Sequence, residues 1–573
     1  MILFSLVSKL GSVEMKNGLI RTSVWVGLLV TIPLMAVLFA ASRLAGLPFS
    51  PFDLFNWIAR ILPGNVITLG IDAIVALIGG LGLGETSSTA KLIEQIMALA
   101  AFLVAGVGYG AASFVFLSRR GRTPDRRMLG VVLGLVAAVP MLLLFAAVNQ
   151  TATTSPLASA AWLLIAFGLW GGATGWIAEQ LVRAGEHAPS VEGRVPGISA
   201  GPPIHTGVIN RRQFLVRVGN AAALITVAGA GLGALMQSGQ RELLETAATD
   251  ATVPEVLRSL PNAGAMVMPA PGTRPEYTPL ADHYRIDISL VPPRIGAEDW
   301  VLPIHGRVRN PLALTLDDLR NNYPAREQYV TLSCISNRVG GDLIGTTLWT
   351  GVSLQQVLAD ADLEDDAAYL KITSKDGFHE TVAIDLINQD ERIMLCYDWD
   401  NQPLTVDHGF PLRIYIPDRY GMKQPKWITD IEVVSEYEEG YWVRRGWDEV
   451  ARVKTTSVVD TVAANALIDA DGQLLVPIGG IAYAGARGIS AVEVRVDDGE
   501  WMPAQLRTPL SETTWVIWRY DWPFEAGEHR FAVRAYDGIG ALQDETPRGA
   551  RPSGATGLHS RTATLAPPEA VES

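Results

Sequence analysis

Cys334 concentrates the chemistry of this sequence. It stands in the run Thr331-Leu332-Ser333-Cys334-Ile335-Ser336-Asn337-Arg338, and the one other cysteine is Cys396, in Met394-Leu395-Cys396-Tyr397. Two cysteines are too few for a disulfide framework or a Cys-rich zinc site. Cys396 lies in an apolar, strand-like run and reads as a buried small hydrophobe, the usual fate of free cysteine. Cys334 keeps different company. After it come Trp349-Thr350-Gly351-Val352, then Asp407-His408-Gly409-Phe410-Pro411-Leu412-Arg413, then Gly421-Met422-Lys423-Gln424-Pro425-Lys426-Trp427. A lone thiolate followed by basic, glycine-bearing segments suits a soft metal carried on an anionic organic cofactor. Thiolate is a soft, strongly donating ligand. Arg and Lys suit phosphate, and glycine lets backbone N–H groups approach closely.

These segments occupy the second half of a 573-residue chain, which is long enough for several domains. Apolar residues make up 49% of it, and almost all the long apolar runs fall in the first 240 residues. Stretches near 22–42, 65–84, 96–117, 128–149, 158–180 and 214–236 are each long enough to cross a hydrocarbon core about 30 Å thick, which takes about 20 residues. The glycine-rich second stretch contains Asp72. That acid is either an intramembrane functional group or a residue at a helix end or bundle interface. The basic loop Arg119-Arg120-Gly121-Arg122-Thr123-Pro124-Asp125-Arg126-Arg127 is expected on the cytoplasmic side. The linker 183–212 then returns to the cytoplasm, and the last stretch carries everything after it outward. Lys9, Lys16 and Arg21 also favour the inside. Either the second stretch is not a full span, or those charges lie outside.

Residues 1–182 contain no histidine, so this bundle is not expected to carry b-type haem, which needs imidazole ligands. The chain has no Cys-X-X-Cys-His motif, so any haem belongs to another chain. The net charge is −13, with most of the acids in the soluble part. That balance argues against nucleic acid as a partner.

The expected architecture is multi-domain: an N-terminal α-helical membrane bundle at 1–185, an α+β domain at 281–450 and an immunoglobulin-like β-sandwich at 455–565. Between the first two lie a linker with a final membrane helix at 186–240 and a Pro-rich tether at 241–280. The linker ends in Asn210-Arg211-Arg212-Gln213-Phe214-Leu215. This is similar to a twin-arginine export signal, and the plain alternative is a positive flank before a last span. Short β-like runs at Tyr329–Leu332, Leu412–Ile416 and Ile428–Val434, with a helical piece at Ser353–Ala361, give the α+β reading. Alternating strands at Leu474–Ile478, Ser490–Val496, Thr514–Trp518 and His529–Tyr536 give the sandwich. The chain beyond Pro552 is Pro-, Ala- and Ser-rich, and disorder is expected there, the tail proper being 566–573.

Taken in order, the motifs around Cys334 resemble the molybdopterin domain of the sulfite oxidase family over roughly 281–445, with a related C-terminal domain to about 565. The resemblance implies an α+β molybdopterin domain and an oxygen-atom-transfer enzyme. Cys334 would be the thiolate ligand of molybdenum. Asn337, Asp376, His408, Arg413, Gly421, Lys423 and Lys426 would belong to the cofactor site. Arg285, Arg338 and Arg487 would orient an anionic or polar oxo substrate. Where sulfite oxidases carry a second consecutive arginine, this chain has Val339, so the pocket is expected to be less cationic. Family members act on sulfite, nitrate or sulfoxides. The family's active-site tyrosine corresponds to Tyr441, Trp442 or Trp447. A separate electron carrier (a cytochrome or quinone-linked protein), the lipid membrane and a homodimer are the implied partners. The rival from another class is a non-catalytic, membrane-anchored envelope module that keeps the fold; a transporter with an attached sensor is disfavoured by the scarcity of intramembrane charge.

Overall fold

The computed structural model describes residues 2–119 apart from part of 65–85, then 125–148, 154–186, 214–231 and 260–567. The linker, the arginine pair at 211–212, Asp72 and residues 241–259 lie outside the described residues. The chain divides into two units, one of residues 1–61 and 92–250, the other of residues 62–91 and 251–573.

The first unit is helical. Its elements are α1 (Ile2–Ala45), α2 (Ser50–Ile61), most of α3 (Thr86–Arg119), α4 (Arg126–Val148), α5 (Pro156–Glu186) and α6 (Phe214–Gly231). Among the described residues, five helices are long and apolar enough to cross a membrane: Leu19–Ala45, Ser88–Arg119, Arg126–Val148, Pro156–Arg183 and Phe214–Gly231. Glycine sets the closest approach in this unit. A Cβ on Gly130, Gly134 or Gly171 would run into the backbone of the facing helix, because α4 and α5 meet main chain to main chain. Small residues at such a seam let the two backbones approach closely. The Tyr109 hydroxyl donates to Leu133 O at 2.9 Å and ties α3 to α4.

Among the described residues, the second unit is built on four sheets. Its first ten strands are β1 (Val301–Gly306), β2 (Leu312–Thr315), β3 (Ala325–Ser333), β4 (Ile344–Ser353), β5 (Tyr369–Ser374), β6 (His379–Ala383), β7 (Met394–Trp399), β8 (Gln402–Pro403), β9 (Arg413–Tyr415) and β10 (Ile428–Val434). One sheet runs β2-β1-β10-β5-β6, with β1 and β10 parallel; the other runs β3-β4-β7-β8, with β9 beside β7. Helices α7 (Leu316–Asn322), α8 (Leu354–Ala361) and α9 (Ile384–Gln389) complete this α+β part. Helix α7 is started by a Thr315–Asp318 capping box. Leu302, Ile304, Leu354, Leu370, Ile372, Leu395, Ile414 and Ile431 form its core. Cys396 is fully buried among Val330, Trp349, Met394 and Trp399, as its apolar run suggests.

The C-terminal part holds β11 (Thr456–Val462), β12 (Ile468–Ala470), β13 (Gln473–Tyr483), β14 (Ile489–Val496), β15 (Met502–Pro503), β16 (Gln505–Leu506), β17 (Val516–Pro523), β18 (Gly527–Asp537) and β19 (His559–Leu565). They make two antiparallel sheets, β11-β13-β17-β16 with β12 on β13, and β15-β14-β18-β19. Both sheets feed one core of Val476, Ile478, Val494, Trp518, Phe531 and Val533. Residues 559–565 are not disordered: they pair with β18 as an edge strand, from Val533↔His559 to Gly527↔Leu565. The far half of the tether is not loose either. The buried Arg507 guanidinium donates to Val267 O at 2.9 Å, Asn262 O at 3.1 Å and Glu276 Oε2 at 2.9 Å, fastening residues 262–276 to the unit.

Candidate active site

Cys334 follows the last residue of β3 and opens the connection to β4, in which Ser333 pairs with Ile344. The connection is stiffened from within. The Cys334 N–H donates to Leu343 O at 3.0 Å, the Asn337 N–H to Cys334 O at 3.1 Å and the Gly341 N–H to Arg338 O at 2.9 Å. Gly340 takes φ +82°, and a side chain there would collide with the His559 ring. The Cys334 side chain is buried, with Sγ 3.0 Å from Ser336 Oγ. Burial pushes its thiol up, against the opposing pull of the Ser336 contacts. No group of three His, Cys, Asp or Glu able to hold a metal ion occurs among the described residues. Gly421 lies against this strand end: a Cβ on it would stand 3.2 Å from Tyr284 Oη and 3.6 Å from Ser333 O. Tyr284 is itself half-buried, and desolvation and then the charge of Cys334 push its phenol well above the ordinary range.

Behind the thiol is a buried cationic cradle. Arg413, on β9, is stacked 4.5 Å from the Trp349 ring and 4.9 Å from that of Trp399. Its Nη1 donates to His408 O at 3.0 Å, while its Nε is buried with no partner among the described residues. Burial draws the guanidinium down to about 10. His408 packs 4.8 Å from Trp399 and 5.6 Å from His283. Burial holds both imidazoles in the neutral form, His283 at about 3. Gly409, at φ +115°, joins His408 to the rest: a Cβ there would press on Lys426 Cβ at 3.1 Å and Arg413 Cβ at 3.3 Å. The Lys426 ammonium lies 4.3 Å over the Trp427 ring, 3.2 Å from Asp407 O and 3.3 Å from Asp287 Oδ2. Burial lowers it to about 8, partly offset by Asp287. Arg285 binds the same carboxylate through Nε at 2.8 Å and reaches Asp407 at 3.1 Å. Lys91 of the same unit lies 3.2 Å from Asp287. Burial would raise the Asp287 carboxyl, but Lys91, Lys426 and Arg285 outweigh it and hold it well below the usual carboxylate range. Asp376, also buried, accepts the Phe378 N–H at 3.0 Å in the turn after β5 and lends its charge to Lys426.

The structure therefore brings together Asp376, His408, Arg413 and Lys426, with Gly421 between them and Cys334. It places four other residues differently. Arg285 stands with the cradle cations, clamped by Asp287 and Asp407. Lys423 is buried against Glu380, with Nζ 2.6 Å from Oε1, so its ammonium is engaged by protein rather than offered to a phosphate. Asn337 Oδ1 accepts the Leu343 N–H at 3.1 Å and closes its own loop. Arg487 pairs with Asp418, with Asp537 at 3.1 Å and with Val453 O at 2.9 Å within the unit. Arg338 remains exposed at the loop surface. Trp442 and Trp447 pack on the cluster containing Ile335 and Met422, beside the Cys334 loop. Tyr441 lies under Arg445, 3.6 Å from its guanidinium. Sequence reasoning missed Lys91, Asp287 and His283. Only His283 had a signal, as the neighbour of Tyr284-Arg285.

Residues 289–442 match the family model described as oxidoreductase molybdopterin binding domain. The chain is 30% identical over 280 residues to mitochondrial sulfite oxidase of Mus musculus, covering 41% of this chain and 51% of that protein. It is 28% identical over 322 residues to nitrate reductase (NADH) 1 of Oryza sativa subsp. japonica, covering 45% and 35%. The chain thus spans about half the length, or less, of these curated relatives. A crystal structure of the sulfane dehydrogenase SoxCD from Paracoccus pantotrophus aligns with a TM-score of 0.41 at 18% identity, over 48% of this chain and 78% of that one.

Proposed function

We propose, from the match of residues 289–442 to the oxidoreductase molybdopterin binding domain model, that this chain is a membrane-anchored molybdenum enzyme of the sulfite oxidase family, moving an oxygen atom to or from a small oxo substrate on the extracytoplasmic side. One observation carries the reading. A buried, otherwise unligated thiol stands before a buried cationic cradle in which Arg413 Nε lacks a partner among the described residues. An orphaned buried donor is costly unless a ligand satisfies it, and here the donor set suits an anionic pterin. Arg413, His408 and Lys426 would hold its phosphate and ring system, the Gly421 turn would admit it close to the backbone, and Cys334 would ligate the molybdenum. When bound, the cofactor supplies a two-electron redox couple for oxygen-atom transfer.

The protein's own part is electrostatic and steric. Trp349, Trp399 and Tyr284 wall the cradle with apolar and neutral surface, which strengthens each charge inside it. His408 and His283, neutral over the physiological range, present ring nitrogens without adding positive charge. Asp287 balances Lys91, Lys426 and Arg285, which lets several cations gather before any anion arrives. The names of the relatives, sulfite and nitrate enzymes, favour an oxyanion; a sulfoxide is the runner-up substrate. A cytochrome or quinone-linked carrier would exchange electrons with the site, the helical unit would anchor it, and the C-terminal sandwich offers a surface for a homodimer.

Molybdenum and pterin should be measured on protein made in a host competent for molybdopterin synthesis. Wild type is expected to hold close to one molybdenum per chain, and Cys334→Ala to lose catalysis while keeping most of the pterin. A wild type without molybdenum ends the enzyme reading. For the location, Arg211→Lys with Arg212→Lys should leave residues 281–565 shielded from external protease; unchanged accessibility removes the twin-arginine route.

A further inference from the structure

One cation of the cradle comes from far outside the matched domain. Lys91 stands on the second turn of α3 (Thr86–Arg119), in the stretch 62–91 that belongs to the second unit. Its ammonium meets three acceptors on one short turn: Asp287 O at 2.9 Å, Ser289 O at 3.0 Å and Asp287 Oδ1 at 3.2 Å. An ammonium carries three donors and no acceptor, so the turn offers one acceptor to each. Ser289 completes the turn, its N–H donating to Asp287 Oδ1 at 3.2 Å and its hydroxyl to Val291 O at 2.8 Å. The pair is largely withdrawn from solvent, with side-chain exposures of 12% for Lys91 and 2% for Asp287. It is therefore screened far less than a surface ion pair.

The contact divides the Asp287 carboxylate between two tasks. Oδ1 faces Lys91, while Oδ2 takes Arg285 Nε at 2.8 Å and Lys426 Nζ at 3.3 Å. The charged groups that meet at the cradle are Lys91, Arg285, Arg413 and Lys426 on one side and Asp287, Asp376 and Asp407 on the other. His283 and His408 add nothing, because burial keeps both neutral. Four cations against three carboxylates leave one net positive charge. Without Lys91 the two sides cancel, and an arriving anion meets a site whose cations are already balanced. In a site walled by Trp349 and Trp399 that difference is weakly screened.

Resting on the cofactor reading of the cradle, we propose that Lys91 is a positioning residue of the cofactor site, acting through Asp287. By taking Oδ1 and two carbonyls of the turn, it fixes the segment that carries Arg285 and leaves the cradle its net positive charge for an anionic cofactor. His408, Arg413 and Lys426 lie inside the matched residues 289–442. The charge that makes them attractive to an anion comes from helix α3.

The test uses the full-length protein in detergent and two readouts. The first is pterin retained after dialysis at pH 7 by protein made in a host competent for molybdopterin synthesis. The second is inorganic pyrophosphate binding, by calorimetry, to cofactor-free protein from a host without that synthesis. Lys91→Met keeps the apolar stem and removes the charge. It is expected to lower both readouts about tenfold, the scale of one poorly screened charge, and Lys91→Arg should restore most of the loss. Adding Asp287→Asn to Lys91→Met returns the net charge to its original value, so both readouts should recover at least partway, a coupling read by the double-mutant cycle. A lysine that only fastened the chain would leave the double variant at or below the single one, and that result overturns the proposal. Unfolding midpoints of the cofactor-free variants tell lost charge from lost fold. Pterin retention and pyrophosphate affinity that both ignore Lys91→Met also overturn the proposal, while a wild type full of pterin keeps the cofactor reading. Lys91-dependent pyrophosphate binding in a wild type that never holds pterin would keep the role of Lys91 toward an anion and retire the cofactor reading.

Discussion

Two cationic regions flank Cys334, and they are built on opposite plans. In the cradle, Arg285 and Lys426 are partly buried, with side-chain exposures of 23% and 11%, and balanced by the buried Asp287, and Arg413 is buried and braced between Trp349 and Trp399. In the pocket that Arg338 and Lys454 line beside the Cys334 loop, the two cations are partly solvated and unpaired among the described residues. A buried cation needs a partner before folding is complete, because leaving water uncompensated costs several kcal/mol per ion. A half-exposed cation keeps its water and can wait. The cradle's plan suits an anion held for the life of the protein; the pocket's suits one that comes and goes. Arg487 sits between the plans. By residue type it belongs with the pocket, but by pairing it is as fully engaged as the cradle residues.

Arg487→Met is therefore the sharpest way to break this comparison. Side-chain exposures of 12% for Arg487, 15% for Asp418 and 6% for Asp537 make it a largely buried triad. Removing its centre leaves Asp537 without its cation, while Asp418 keeps Arg452 at 2.7 Å and Arg419 at 4.0 Å. The expected loss is about 3 kcal/mol or more of stability, read as a lowered unfolding midpoint. Arg487 also holds Val453 O at 2.9 Å, next to Lys454, so sulfite KM should rise together with the fall in midpoint. A variant with raised KM and an unmoved midpoint would return Arg487 to the substrate pocket and erase the distinction.

How far this division could be read in the sequence depends on the kind of interaction. Cys334 and its ordered motifs were legible because the thiol and the glycine-bearing segments lie in short runs. The strands at 412–416 and 428–434 were legible because their apolar periodicity is local. The fate of each cation was not. Arg487 meets Asp418 69 residues away in sequence, and Lys423 meets Glu380 43 residues away. Sequence shows that a residue is positive, but not whether the fold has already neutralised it. The same blindness hid Asp287, an acid amid basic motifs that makes their crowding tolerable. At the C-terminus, composition misled: Pro, Ala and Ser around 552–557 masked the alternation of Arg561, Ala563 and Leu565, which the open edge of β18 turns into a strand.

A smaller effect sharpens the cradle's side. Lys426 is held near 8, below the lysine value of about 10.5. Between those values the folded apoprotein carries fewer protons than the unfolded chain, so this residue's contribution to apoprotein stability rises with pH across the window. Binding of an anionic cofactor has the opposite sign, since the ammonium it needs is full below 8 and fades above it. Pterin retention after dialysis should fall about tenfold between pH 7 and 10, the worth of one charge-assisted hydrogen bond. Lys426→Met should show that lower retention already at pH 7, with a flat profile. A wild-type profile that is itself flat would remove Lys426 from the cofactor's contacts.

The smallest effect falls on Asn337, which joins the cradle by resemblance and the pocket by geometry. Its Oδ1 accepts the Leu343 N–H and holds the turn that presents Arg338. Asn337→Ala gives up one hydrogen bond in a half-buried loop, a cost of about 1 kcal/mol. Because that loop carries Arg338 on its outer side and Cys334 at its fixed root on β3, loosening it should raise sulfite KM a few-fold and leave molybdenum content unchanged. A loss of molybdenum to match Cys334→Ala would mean that Asn337 serves the cofactor directly, and the boundary between the two regions would then run through Arg338.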